Sequence, residues 1–345
     1  MPHTIANQTI NTLAIDLAKN SFHIHRADQL GRKVLSKALS RKKLKLFIAK
    51  LSVCTIVMEA CSGANYFARC FTQMGHTVKL IAPQFVKPYV KSNKNDAADA
   101  QAICEAAQRP DMRFVTPKDI NQQDIQSIHR ARSLCVAHRT ALGNQIRGLL
   151  AEYGIVVATG LASLREGIPR ALEDGENELT SLFRELLNHL YEALCYYDQR
   201  VDFYTLKVYK MAKQDERCKR LQSIPGIGPI VATALVATLG NGNAFANGRE
   251  AAAYLGLVPK QHSTGGKPTL LGISKRGDVY LRSLLIHGGR SVVRHADKHQ
   301  DYRSCWIQDL VQRRNVNIAA VAVANKNVRI AWRLLQGDAT YQISA

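Results

Sequence analysis

Four carboxylates in this sequence stand where they could share a divalent cation: Asp16, Glu59, Asp96 and Asp99. Asp16 closes the short apolar run Thr12–Asp16, and Glu59 follows the β-branched run Val53–Met58. Asp96 and Asp99 are three residues apart, so a helix carries them on one face. If the two runs are neighbouring strands of a parallel sheet, Asp16 and Glu59 emerge at the same carboxyl edge, where open α/β sheets place their sites. Four carboxylates gathered there repel one another unless hard divalent cations sit between them. Two such ions would activate an attacking oxygen and steady a leaving one, which is the chemistry of phosphoryl transfer. Taken one at a time, the same residues also read as ordinary structure: an Asp at a strand end forms turns, and Asp96 caps a helix.

A second group lies in the last third. His262-Ser263-Thr264-Gly265-Gly266-Lys267 is a small-residue loop flanked by cations, leading through Ser274, Lys275 and Arg276 to Arg282. A serine hydroxyl attacks phosphorus only when its proton is removed or its pKa lowered. Cations held by the acidic group would do this, while Lys267, Lys275, Arg276 and Arg282 neutralise the phosphate. His262 is a further candidate proton acceptor. The alternative is an exposed loop that only grips a phosphate. Upstream, Ser223-Ile-Pro-Gly-Ile-Gly-Pro229 followed by an apolar helix has the form of a helix-hairpin-helix. There Gly226 and Gly228 would bring backbone N–H groups against a nucleic-acid backbone without reading bases. The same turn also reads as tight packing between two helices.

The elements that must position these groups follow from periodicity. Thr12–Asp16, Val53–Met58 and Thr77–Ile81 read as strands, with Ser21–His25 and Lys33–Lys37 as candidates to pair with the first. Lys42–Leu51, Tyr66–Met74 and Asp96–Ala107 read as helices, so residues 1–120 form a three-layer α/β domain. Gln122–Tyr153 and Glu176–Leu221 are helical around a Gly/Pro-punctuated segment, Gly154–Pro169. They suggest an antiparallel helical hairpin over 121–221 that projects or dimerises. Residues 222–345 read as mostly α.

Composition narrows the partners. Lys and Arg number 47 against 27 Asp and Glu, a formal charge of +20, which attracts polyanions, nucleic acid first. A membrane partner fits poorly: no apolar run approaches the roughly 20 residues that span a bilayer, and the N-terminus lacks the pattern of a secretory signal. The eight cysteines include no Cys-x-x-Cys pair, so they read as reduced thiols of a cytoplasmic protein rather than zinc ligands.

The motifs, in their order, resemble those of the DEDD-type insertion-sequence transposases of insertion-sequence family one-ten, described as bridge-RNA-guided recombinases. The resemblance covers nearly the whole chain. It rests on AIDLAK (Ala14–Lys19), VMEACSG around Glu59, KNDAADA (Lys94–Ala100), SIPGIGP (Ser223–Pro229), AAAYLGLVP (Ala251–Pro259), HSTGGK (His262–Lys267) and GISKRGD (Gly272–Asp278). It implies a RuvC-like (RNase H-like) N-terminal domain, a coiled-coil connector and a C-terminal transposase domain bearing a nucleophilic serine. It also implies that Asp16, Glu59, Asp96 and Asp99 are a DEDD tetrad binding Mg²⁺, as two ions. The serine falls in HSTGG: the family's serine directly before glycine aligns with Thr264, whereas anchoring on the following Ser-Lys-x-Gly motif selects Ser263. Ser263 is preferred because threonine is a β-branched, slower nucleophile. The implied reaction is strand cleavage through a phosphoserine link and exchange through a Holliday-junction-like intermediate. It would run in a homo-oligomer, dimer or tetramer, in which the acidic domain of one subunit completes the serine site of another. Element ends, target DNA and a non-coding bridge RNA are the implied partners, base pairing carrying the specificity. Two other classes remain open on the residues alone: a metal-dependent junction nuclease using water, and a non-catalytic nucleic-acid-binding protein.

Overall fold

The computed structural model describes residues 12–28, 30, 32–90 and 95–342, and the chain folds as two compact units, Met1–Ile120 and Asn121–Ala345. The first eleven residues, in which a signal was sought, and Lys94 of the KNDAADA motif lie outside the described residues.

The first unit is built on a six-stranded sheet. In chain order its elements are β1 (Thr12–Leu17), β2 (Ser21–Ala27), β3 (Lys33–Ser40), α1 (Arg41–Ala49), β4 (Thr55–Glu59), α2 (Ala64–Gln73), β5 (Thr77–Ile81), α3 (Pro83–Val86), α4 (Asp96–Ala107) and β6 (Phe114–Val115). The strand order is β3-β2-β1-β4-β5-β6. β1, β4 and β5 run parallel, while β2, β3 and β6 are antiparallel to their neighbours. Of the two segments expected beside β1, only β2 pairs with it, and β3 pairs with β2 instead. The pleat sorts side chains by parity. Leu13, Ile15, Ile56, Met58 and Leu80 pack with Leu44, Ile48, Phe67 and Phe71 of α1 and α2. Ala14, Val57 and Ile81 point the other way, against Ala102, Ile103 and Ala106 of α4. Helices therefore cover both faces.

The second unit is helical, with one exception. It comprises α5 (Ile120–Ala151), α6 (Leu161–Glu173), α7 (Ser181–Gln214), α8 (Glu216–Gln222), α9 (Pro229–Leu239), α10 (Gly248–Tyr254), the hairpin β7 (Pro259–Gln261) and β8 (Leu270–Ile273), α11 (Val279–Arg294), α12 (Tyr302–Arg313) and α13 (Val316–Leu335). At 32 and 34 residues, α5 and α7 are each about 50 Å long at 1.5 Å per residue. They lie antiparallel: Arg132 Nε donates to Thr205 Oγ1, and Arg139 pairs with Asp198 one turn-pair further on, at 3.0 Å. The segment expected to be an irregular link, Gly154–Pro169, is largely helix α6. Leu164, Ile168 and Ala171 bury against Ile146, Leu150, Phe183 and Leu187, and that burial outweighs the backbone donor lost at Pro169. The expected single stretch to Leu221 breaks at Asp215, whose carboxylate caps α8 by accepting from Arg217 N.

In the C-terminal part α9 has eight of its eleven residues buried, so it is the central rod on which α7, α8, α11 and α13 pack, with α10 seated on α13. The root of α5 belongs to this core as well. His129, flanked in the sequence by Arg130 and Arg132, is buried and spans Tyr280 of α11 (Nδ1 to Oη, 3.0 Å) and Thr233 of α9 (Nε2 to Oγ1, 2.9 Å). No helix among the described residues is long and apolar enough to cross a membrane.

Candidate active site

Parity and register account for the acidic group. Asp16 stands two residues after Ala14, and Glu59 two after Val57, so both share the side of the sheet that α4 covers. The parallel register Ala14↔Val57 and Ile15↔Met58 runs on to set Asp16 beside Glu59 at the carboxyl ends of β1 and β4. α4 begins over that edge. Asn95 caps it, its side-chain oxygen accepting from Ala98 N at 2.8 Å, and Asp96 and Asp99 fall in the first turn. Alanines at 100, 102 and 106 let α4 lie close to β1 and β2.

The electrostatic consequence is visible at Asp16. Its carboxyl is pushed up to about 6, first by burial and then by the negative charges of Asp99, Asp96 and Glu59, against a lowering hydrogen bond from the Leu17 backbone. All four carboxylates thus share one field. Among the described residues no three His, Cys, Asp or Glu side chains are already drawn into a ligating cluster. An all-oxygen donor set of this kind suits a hard divalent cation.

The serine segment, read from the sequence as a loop, is a β-hairpin. Gly265 and Gly266 both have positive φ, +58° and +75°, the signature of a two-residue type I′ turn that only residues without a Cβ adopt readily. Thr264 and Lys267 bridge across it, His262 N donates to Thr269 O at 2.9 Å, and Gln261 pairs with Leu270. The Gly-Gly dipeptide was the available signal; the flanking strands were too short and too polar to give a period. Alternation along this ribbon separates the candidates. Gln261 and Ser263 share one face, and Gln261 Nε2 donates to Ser263 Oγ at 2.8 Å. His262, Thr264 and Lys267 occupy the other. His262 is therefore directed away from the serine it was a candidate to deprotonate.

The cations divide. Lys267, Lys275 and Arg276 are exposed. Arg282, expected at a phosphate, is buried at 6% exposure, and its Nη1 donates to the carbonyls of Arg276 (2.7 Å) and Leu255 (3.1 Å). It is a correction to the sequence reading: this guanidinium ties the segment 272–278 to the end of α10. Gly256 and Gly277 complete that latch, since a Cβ on either would collide with the backbone of Arg276 or Tyr254. The Pro-Gly turn divides similarly. A Cβ on Gly226 would meet the Gly288 carbonyl oxygen at 2.8 Å, so this glycine serves the packing of the turn on α11. Gly228 is exposed at the start of α9, which has no side-chain cap.

Comparison with known proteins agrees with a carboxylate-bearing α/β unit joined to a helical unit. Residues 218–304 match the model described as "Transposase IS116/IS110/IS902 family", and residues 13–155 match a transposase model of the DEDD, IS110 type. A probable family 20 transposase of Pseudomonas aeruginosa is 46% identical over 96% of this chain and 99% of its own length. The transposase for insertion sequence element IS1111A of Coxiella burnetii is 45% identical, covering 97% of this chain and 92% of its own. That for IS1328 of Yersinia enterocolitica is 42% identical, over 94% and 96%. Fold, site and relatives define a DNA transposase, an enzyme of phosphoryl transfer. The chain belongs to the IS110/IS116/IS902 family of transposases, whose DEDD-type domains generally use divalent metal ions.

Proposed function

We propose that this chain cuts and rejoins DNA strands at the ends of an insertion sequence, with Ser263 as nucleophile and Asp16, Glu59, Asp96 and Asp99 as the ligands of two Mg²⁺ ions. The observation that carries the reading is the field at Asp16, raised to about 6 by burial and by the three other carboxylates. When bound, the ions supply charge neutralisation and activation of oxygen at phosphorus. Asp16 and Glu59 would hold them from the strand ends, and Asp96 and Asp99 from the first turn of α4.

The strand order β3-β2-β1-β4-β5, with only β2 reversed among these five, supports a RuvC-like domain over 1–120. A coiled-coil connector over 121–221 and a transposase domain over 222–345, with the helix-hairpin-helix-like turn at Ser223–Pro229, complete the reading. In the cleavage step Ser263 Oγ bonds to phosphorus, and the bond from phosphorus to the leaving sugar oxygen breaks. The serine proton passes to a base, and the departing sugar oxygen takes up a proton. Rejoining is the reverse, attack of a strand-end hydroxyl on the phosphoserine. Exposed Lys267, Lys275 and Arg276 would offset phosphate charge, and Gly228 would offer its backbone N–H at the start of α9. The family resemblance supports a bridge-RNA partner and a homo-oligomer in which acidic and serine domains come from different subunits.

The test is a denaturing gel of the full chain with Mg²⁺, element-end DNA and the candidate RNA. We expect a covalent protein–DNA adduct that disappears in Ser263→Ala and in Asp16→Asn. Loss in Thr264→Ala alone would transfer the nucleophile to that residue. Cleaved DNA with no adduct in any protein would replace the reading with a hydrolytic nuclease, and no cleavage at all with a binding protein.

A further inference from the structure

The tip of the long helical hairpin differs in charge from the rest of the chain. Residues 173–192, where α6 leads into α7, hold six acids and one arginine, in a protein whose formal charge is +20. The arginine, Arg184, is spent on backbone, donating to the carbonyls of Leu172, Asp174 and Leu179. Glu173, Glu176, Glu178 and Glu185 are exposed, and none of them forms an ion pair with a described residue. Leu182 and Leu186 lie on the same face of α7 as Glu185, 77% and 44% exposed. The complementary chemistry lies in the C-terminal part. There a groove of about 1510 Å³ is walled by α10, α13 and the β7–β8 hairpin. Leu270, Leu271, Ile318 and Val321 make it apolar, and the first three are more than half exposed. Arg249, Lys326, Arg329 and Arg333 supply its charge, and none of the four forms an ion pair with a described residue. No Asp or Glu is among the described residues that line it. Burial, and then the charges of Arg303 and Arg329, hold the Lys326 ammonium below its ordinary range, so this wall lacks negative charge. An exposed apolar surface of this kind marks a place where a partner docks.

We propose that this groove receives the acidic tip of α7 from a second copy of the chain. Charge selects the occupant: unpaired acids set among exposed leucines meet unpaired cations set among exposed leucines. A nucleic-acid backbone would satisfy the cations and leave the leucines bare. Size agrees as well, because the groove volume is that of about three turns of a helix 10–12 Å across, and Ser181–Glu192 makes about three turns. A chain does not reach its own groove, since α7 holds its tip about 50 Å from the end that joins α8, and α8 packs in one core with α13. Docking would also act on the serine arm. A tip seated against Leu270 and Leu271 would cover β8 and steady the hairpin that presents Ser263. This rests on the homo-oligomer part of the proposed function, and not on the choice of nucleophile or the metal site.

The test reverses charge on one side at a time. Glu178→Lys/Glu185→Lys changes the tip and Arg249→Glu/Arg329→Glu the groove, and all four residues are exposed. Sedimentation velocity of the full chain, without DNA and at low salt, measures self-association. We expect each double variant by itself to associate more weakly than the wild type by roughly tenfold or more, because like charges then face each other. Mixed in equal amounts, the two variants should associate as the wild type does, since each tip now finds a groove of opposite sign. That recovery also shows that both variants are folded. Undiminished association of either variant, or no recovery on mixing, would overturn the docking while leaving the homo-oligomer reading in place. A wild type that sediments as a monomer at every concentration would overturn both. A groove variant that loses affinity for single-stranded or duplex DNA and associates as before would give the groove to nucleic acid and overturn the assignment to a second copy.

Discussion

At Asp16 a structural cost coincides with a proposed metal ligand. A carboxyl raised from 3.8 to about 6 is charged at neutral pH against both burial and its neighbours. Asp16→Asn removes that repulsion. In the absence of divalent cations the variant should be more stable by roughly 1–2 kcal/mol, after discounting the shift for the half-exposed position. Urea unfolding of the metal-free proteins measures this. The same variant should show no DNA cleavage and little stabilisation by Mg²⁺, whereas the wild type should gain stability if, as proposed, the ion binds the folded state. A wild type whose unfolding midpoint ignores Mg²⁺ and Mn²⁺ alike would remove the tetrad from metal chemistry. His129 presents the opposite case. Burial, assisted by Arg132, lowers its imidazole to about 4, so it is neutral in the fold. Below pH 6.5 the unfolded chain takes up a proton that the folded chain refuses until about pH 4. Stability should therefore drain away across that window, by about 3 kcal/mol at its lower end. His129→Phe, which cannot titrate, should lose less between pH 7 and 4, although it starts lower because Thr233 and Tyr280 lose their partner.

Among the elements, the long helix α7 leaves Leu182, Leu186, Tyr196, Phe203 and Leu206 at 44–77% exposure. These are spaced by four, ten, seven and three residues, each three, four or a sum of them, the stripe that a second helix covers in a coiled coil. The double variant Phe203→Glu/Leu206→Glu should shift the chain toward monomer in analytical ultracentrifugation while leaving its far-UV circular dichroism unchanged. An unaltered sedimentation coefficient would mean that self-association lies elsewhere. The hairpin is the element whose form depends most on two residues. Gly265→Val places a β-branched side chain at φ +58° and should unravel the Thr264–Lys267 bridge, costing of the order of 1–2 kcal/mol locally. Strand-transfer activity should fall far more than the Tm, as expected of a segment that is exposed throughout.

On the scale of the whole molecule, the two units should unfold as two transitions, with Mg²⁺ raising the one that belongs to residues 1–120. The legibility of the sequence also divides by unit. The α/β unit could be read closely because its strands are short apolar runs bounded by polar turns, and because Asp16 and Glu59 stand at their ends. Thr77–Ile81 is the same strand in both readings. What could not be read were features whose cause is tertiary. Pro169 is helical only because Leu164 and Ile168 are buried. Arg282 looks like a phosphate contact until the carbonyls of Leu255 and Arg276 are seen around it. His129 sat in a run of arginines, and only α9 and α11 make it a core residue. Local pattern cannot report a partner more than a hundred residues away.

The ribbon that carries Ser263 has one further consequence. Neighbouring hydroxyls at 263 and 264 are usually treated as interchangeable by a slip of alignment, but here they look out from opposite sides of a flat arm. On the proposed hydroxyl chemistry, the choice of nucleophile is thus a choice of approach: DNA lying on the Gln261 side would meet Ser263, and DNA lying on the Lys267 side would meet Thr264. Exchanging the two residues would not shift the scissile bond along the strand by one step. It would ask the enzyme to seat its substrate on the reverse of the arm, away from the amide that now holds the serine.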